Sequence, residues 1–507
     1  AHLIIINHSL LLADLASNGM VLPEYSDLII DEAHHLEAAV TDGLSFRADR
    51  RFLETILEEA SRPRAGLVAN TQQRVAAVAP QEISASVDTL AERMRVDAQG
   101  AIFQTQDFFT TLDFFLRAQE RERTQFASQL RVTPAVRVQP DYHLIEESWA
   151  DLSKVLAVLI KGFQKLAQAV VDLAHTVDIE GADELRAALI SNGQMLDEAR
   201  VNIDAMLLQP ADGMIYWIEQ FKDNISLHAA PLHVGPLVEK HIFQNKETVV
   251  LTSATLRTAG YGRAESTFAY LRDRLHAHDA DELAVGSPFD YKNSTLLYLV
   301  SDIPEPNQPG YQRVLEQAIL DTALALGGRT LVLFTANNHL SQTASAVESK
   351  LAKHNITTLA QVAGASRQQL LEQFRREGGR SVLLGTRSFW EGVDIPGPAL
   401  TALLIAKLPF DVPTDPIFAA RSETYENAFF EYSIPEAVLR FRQGFGRLIR
   451  RATDEGIVIC LDKRLLTKRY GGMFLEALPE CTVVRQRADR IEELINRWLT
   501  RDRSRKL

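Results

Sequence analysis

Apolar positions follow two different rules along this chain. Toward both ends they form short unbroken runs: LIII at 3–6, LII at 28–30 and VVL at 249–251, then LLYLV at 296–300, TLVLF at 330–334, SVLLG at 381–385, TALLIA at 401–406 and IVICL at 457–461. Runs of this length, separated by segments long enough for helices, predict strands buried on both faces of parallel sheets. Through 46–235 the spacing turns helical, clearest over 149–173 and 184–208, with few glycine or proline breaks. A shorter helix is expected over 10–16. The pattern predicts an α/β chain in four stretches: part of a first sheet domain at 1–45, a helical insertion at 46–235, the rest of the first domain at 236–290, and a second doubly wound domain at 291–507.

Composition narrows the class only a little. With 507 residues, 46% hydrophobic and 24% charged, the chain has the make-up of folded globular domains rather than of disorder or fibre. Its formal net charge of -12 gives no global attraction for nucleic acid, so such binding has to come from a local basic groove. Cys460 and Cys481 are too far apart for a close-spaced metal pair and too few for a disulfide framework, which fits a reducing cytoplasm. No run approaches the roughly 18 apolar residues of a membrane span, so no membrane association is expected.

The chemistry begins at DLIIDEAHHL, residues 27–36, where an apolar run ends in Asp31 and Glu32. Carboxylates at the carboxyl end of a parallel strand sit where such sheets bind ligands. One can hold magnesium while its neighbour orients or deprotonates an attacking water. Taken alone, an acidic pair capping the next helix reads equally well. His34, His35 and Glu37 lack the HExxH spacing of a metalloprotease. Ser253 and Thr255 offer hydroxyls at a second strand end, although a local Ser/Thr turn is at least as common there.

Further along, GTRSFWEGVD at 385–394 brings together Arg387, Phe389, Trp390, Glu391 and Asp394. Aromatics beside an arginine suit stacking on bases, and packing in a domain core reads equally well for each ring. In RFRQGFGRLIRR at 440–451, Gln443, Arg447 and Arg450 are spaced to share one helical face, from which arginines can neutralise a transferring phosphoryl group. A solvated basic face is the bland alternative. Gly444 and Gly446 weigh against it, because each costs a helix about 1 kcal/mol against alanine and is better explained by close approach to a neighbour. The phosphate loop G-x-x-x-x-G-K-[ST] is absent, since no Gly-Lys dipeptide occurs in the sequence.

In chain order, NHSLLLADL, DEAH, TSAT, LFTANN, SFWEGVDIPG, KLPFDVPTDP and QGFGRLIRR resemble the DinG/XPD-like branch of superfamily 2 DNA helicases. KLPFDVPTDP and QGFGRLIR are nearer the bacterial DinG type. The resemblance implies two RecA-like parallel-sheet domains with an arch-like helical insertion in the first. It also implies ATP-dependent movement, 5′ to 3′, on single-stranded or forked DNA in repair or replication, with ATP and Mg2+ as cofactors. By motif, Asp31 and Glu32 become the magnesium and catalytic-water residues. His34, Ser253, Thr255, Gly392, Asp394 and Gln443 fall on the nucleotide side, with Arg447 and Arg450 completing it. Asn7, His8, Thr335, Asn337, Arg387, Phe389 and Trp390 map near DNA. The family's phosphate loop lies upstream of its DEAH segment, as does the four-cysteine iron–sulfur cluster of many members. This chain is therefore expected to be truncated at its start and weak as an ATPase alone, and neither Cys460 nor Cys481 maps to a cluster ligand. Two other readings stand beside the helicase: a non-catalytic nucleic-acid-binding scaffold, and a related motor acting on RNA.

Overall fold

The computed structural model describes residues 3–17, 19–119, 128–259, 266–362, 365–377, 379–390, 395 and 397–501. Two compact units emerge, within Ala1–Glu24, Ala38–Val234 and Pro413–Arg421 for the first, and within Tyr25–Glu37, Gly235–Val412 and Ser422–Leu507 for the second. Both are best understood from which faces of their elements the sequence makes apolar.

The first unit is built on the helices Arg50–Ser61, Gln81–Gln119, Tyr142–Ala174 and Ala182–Leu207. Along Tyr142–Ala174 the residues Tyr142, Ile145, Trp149, Leu152, Leu156, Leu159, Phe163, Leu166 and Val170 are buried, a stripe of three- and four-residue steps that faces the neighbouring helices. Each such large side chain contributes about 1.5–3 kcal/mol by leaving water. Trp149 packs on Phe108 with ring centroids 5.2 Å apart, and its indole N–H donates to Asp204 Oδ1 at 2.6 Å. The segment expected to be helical also holds a four-stranded antiparallel sheet, ordered Phe46–Asp49, Asn224–Pro231, Met214–Phe221, Ser128–Arg131. Its strand Met214–Phe221 is covered on both faces. Tyr216 and Ile218 join the helical core, while Ile215 and Trp217 meet Ala230 and Ala420.

The second unit contains a seven-stranded, all-parallel sheet in the order Thr357–Ala360, Ser381–Gly385, Thr330–Leu333, Ala402–Ile405, Gly456–Cys460, Thr295–Val300, Thr482–Gln486. Alternate residues of its central strands serve two separate cores. Leu297, Leu331, Leu383, Leu403 and Val458 face one, and Leu296, Val332, Val382, Leu404 and Ile459 face the other. Burial on both faces is why these strands read as unbroken apolar runs. Thr357–Ala360 and Thr482–Gln486 are edge strands with partly exposed, polar positions, and they escaped the apolar pattern for that reason.

A second parallel pair in the same unit joins Asp27–Ile30 to Thr248–Leu251, with Ile30 opposite Leu251. The run at 3–6 forms no strand, and Leu3 and Ile5 are exposed. A strand exists only through a ladder partner, and none among the described residues pairs there. The α/β architecture with parallel sheets holds, whereas the stretch 46–235 expected to be helical mixes helices with an antiparallel sheet.

Candidate functional site

The carboxylate pair is shaped by backbone bonds at the end of its strand. Ile30 is buried, its carbonyl accepts from Thr252 N at 2.9 Å, and Ala33 N donates back to the Thr252 carbonyl at 3.0 Å. Between these anchors the chain turns sharply. Glu32 adopts left-handed backbone angles, φ 50° and ψ 42°, and its N–H is held by Asp31 Oδ1 at 2.9 Å. A non-glycine residue pays on the order of 1 kcal/mol for that conformation, and the turn lifts both carboxylates into solvent.

Three side chains then meet across the strand pair. Ser253 Oγ donates to Glu32 Oε2 at 3.2 Å and lies 2.7 Å from His34 Nδ1, and His34 Nδ1 is 3.3 Å from the same Glu32 oxygen. With the proton on Nδ1, His34 donates to Ser253 while Ser253 donates to Glu32, which satisfies all three atoms. Thr255 completes the turn, its N–H donating to Ser253 Oγ at 3.1 Å. The His34 side chain is 6% exposed and that of Glu32 60%, so a buried imidazole steadies an accessible carboxylate. Asp31 and Glu32 together offer two carboxylates. No group of three or more His, Cys, Asp or Glu able to hold a metal occurs among the described residues. A divalent ion that keeps several waters and uses substrate phosphate oxygens fits such a sparse donor set.

The second part of the site lies on the helix Ile434–Phe445 and the turn after it. Gln443 is 7% exposed, and its Oε1 has no hydrogen-bond partner among the described residues, so a buried acceptor is left for a donor to meet. The helix stops at Phe445. Arg447 and Arg450 therefore do not share a helical face with Gln443, correcting the reading from spacing. Arg447 sits in the following turn, its N–H bonded to the Gly444 carbonyl at 3.1 Å and its Nε donating to the Trp390 carbonyl at 3.0 Å. Arg450 is exposed in a loop whose backbone is held by Asp454 Oδ2 at 3.0 Å. Gly444 is explained by close approach, since a Cβ there would lie 2.8 Å from the Trp390 ring; Gly446 is not, its nearest atoms being at 3.5 Å.

Phe389 and Trp390 are 0% and 2% exposed, with the Trp390 indole N–H donating to the Phe334 carbonyl at 3.0 Å. They are core residues and cannot stack on a base, which corrects the nucleic-acid reading of these two rings. Arg387 is different: its side chain is 74% exposed and 3.5 Å from Asp411. Thr335 and Asn337 are exposed where the strand Thr330–Leu333 passes into the helix Asn337–Ala352. Asn7 accepts from Leu10 N at 2.9 Å and caps the helix His8–Ala16. His8 begins that helix, half-buried. Gly392 and Asp394 lie outside the described residues.

A charged group that motif reading passed over lies beside these residues. Arg274 is buried and makes a two-pronged pair with Glu37, Nε to Oε2 at 3.0 Å and Nη2 to Oε1. Asp411 takes Arg440 Nη1 at 2.7 Å as well as Arg387. The signal available in sequence was only that Glu37 follows the carboxylate pair within the next helix and that Arg440 precedes Gln443 on its own.

Residues 319–481 match the helicase C-terminal domain family. The ATP-dependent DNA helicase DinG of Photobacterium profundum is 30% identical over 94% of this chain and 68% of its own length. The 3′-5′ exonuclease DinG of Bacillus subtilis is 31% identical over 95% of this chain, which spans only 52% of that relative. The ATP-dependent DNA helicase YoaA of Escherichia coli is 28% identical, covering 94% of this chain and 67% of that protein. A solved XPD helicase superposes with a TM-score of 0.48 at 12% identity, over 90% of this chain and 68% of that one. On the sequence relatives and the ordered motifs, the chain belongs to the DinG family, within the DinG/XPD-like branch of superfamily 2 helicases.

Proposed function

We propose that this chain carries the motor of an ATP-dependent DNA helicase that moves 5′ to 3′ along single-stranded DNA. The carrying observation is the Glu32–Ser253–His34 cluster, which holds an accessible carboxylate at a parallel-strand end. In this reading Glu32 orients and deprotonates the attacking water, and Asp31 supplies a protein ligand to the magnesium ion that neutralises phosphate charge. Gln443 and Arg447 meet the phosphates from the second sheet domain, and Arg387, Thr335 and Asn337 lie toward the DNA backbone. The names of the Photobacterium and Escherichia relatives support ATP and DNA as substrates. The sequence holds no phosphate loop, and we expect these residues alone to hydrolyse ATP weakly.

The test is ATP turnover by the natural full-length protein with and without single-stranded DNA. Glu32→Gln should cut stimulated turnover by about 10²–10⁴, the usual contribution of a positioned general base, while DNA affinity stays within twofold. An unchanged rate would remove Glu32 from the chemistry. Absence of DNA-stimulated hydrolysis in the wild type would favour the non-catalytic scaffold.

A further inference from the structure

The helix Ala269–Leu275 carries Tyr270 and Arg274 four residues apart, on one face. Each grips a different part of the site. Arg274 holds Glu37, five residues beyond Glu32, and its Nη1 donates to Tyr425 OH at 3.1 Å while its guanidinium lies 5.1 Å from the Tyr432 ring centroid. Tyr425 and Tyr432 stack with ring centroids 5.4 Å apart. Tyr270 OH donates to Glu436 Oε1 at 2.6 Å, and Glu436 stands about two helical turns before Gln443 on the same face. From Glu436 the charges continue outward: Arg440 Nη2 at 3.4 Å, then Asp411 against Arg440 at 2.7 Å, then the exposed Arg387 at 3.5 Å from Asp411. Burial pushes the Glu436 carboxyl upward while Arg440 opposes the shift, so the Tyr270 hydroxyl is one of few groups supporting that charge.

Resting on the helicase reading, we propose that Tyr270 and Arg274 form a positioning relay, linking the segment after the carboxylate pair to the helix bearing Gln443 and, through Asp411, to the exposed Arg387, so that ATP turnover responds to DNA. None of the relay residues between Glu37 and Arg387 has to touch nucleotide or DNA. Their alternation of buried cation, carboxylate and phenol is stiff, because each charge is desolvated and moves only with its partner. Packed side chains and hydrogen-bonded charge networks of this kind can carry coupling between two sites when both bias their arrangement.

The experiment measures, in the natural full-length protein, ATP turnover without DNA, turnover at saturating single-stranded DNA, and DNA affinity without nucleotide. Tyr270→Phe removes one hydroxyl and keeps the ring. We expect unstimulated turnover and DNA affinity within twofold of wild type, with DNA stimulation reduced at least fivefold. Asp411→Asn, at the outer end of the relay, should reduce stimulation similarly, and the double variant should be no worse than either single one. Stimulation retained in both single variants overturns the relay. So does a parallel fall of thermal stability and every activity, which marks Tyr270 as structural only. If wild type shows no stimulated turnover the helicase reading itself fails, and the relay with it.

Discussion

Gly444 and Gly446 look alike in QGFGR, yet their surroundings separate them. At Gly444 an added methyl would meet the Trp390 ring at 2.8 Å and Leu333 Cδ1 at 3.2 Å, both buried and unable to retreat. Overpacking of this kind costs about 1–3 kcal/mol, more than the roughly 1 kcal/mol alanine gains in a helix. Gly446 has an ordinary negative φ and nothing closer than 3.5 Å. Gly444→Ala should therefore lower the urea midpoint of the second unit, and Gly446→Ala should leave it within about 0.5 kcal/mol of wild type. Equal effects would mean that the Trp390 ring yields. Spacing could say that a glycine pair in a helix needed a reason, but the reason applies to one of the two.

At the scale of elements, what was legible depended on burial. Strands such as Ser381–Gly385 and Ala402–Ile405 were plain because both faces are covered and every position is apolar. The sheet within the first unit was not, because Phe46–Asp49 and Ser128–Arg131 are short and polar in part, and gain strand character only from partners distant in sequence. The site divides in the same way. Its residue types could be named from motifs, whereas the left-handed turn at Glu32 is anchored by backbone bonds to Thr252, and the helix end at Phe445 comes from a local turn that residue spacing does not mark. That helix end carries a functional consequence. Arg447 is aimed by a turn and by its Nε bond to the Trp390 carbonyl, a fixed mount for the guanidinium that the proposed function sets against phosphate. Arg447→Ala in the full-length protein should slow DNA-stimulated turnover by about 10³ or more with little change in melting temperature. Unchanged hydrolysis would return the arginine to a solvated basic face.

For the molecule as a whole, the division into units does not follow chain order. Pro413–Arg421, part of the KLPFDVPTDP motif and its continuation, belongs to the first unit although the sequence on both sides belongs to the second. Ile417 and Ala420 pack on Ile215, Trp217 and Ala230, filling the outer face of the antiparallel sheet. Arg421 fixes the segment from within: 6% exposed, it donates through Nε to the Leu232 carbonyl at 2.9 Å and through Nη2 to Thr41 Oγ1 at 2.8 Å. A hydrogen bond from a charged group contributes about 1.5–3 kcal/mol, so this one side chain is expected to hold the segment docked alongside the packing of Ile417 and Ala420. Arg421→Met keeps much of the apolar stem and removes the donors, leaving buried carbonyls without their cation. Amide exchange across 413–421 and along Asn224–Pro231 should quicken by at least tenfold, while the seven-stranded sheet of the second unit keeps its protection. If exchange quickens equally in both units, the segment does not belong energetically to the first. If neither changes, packing by Ile417 and Ala420 suffices and the arginine is dispensable to the fold.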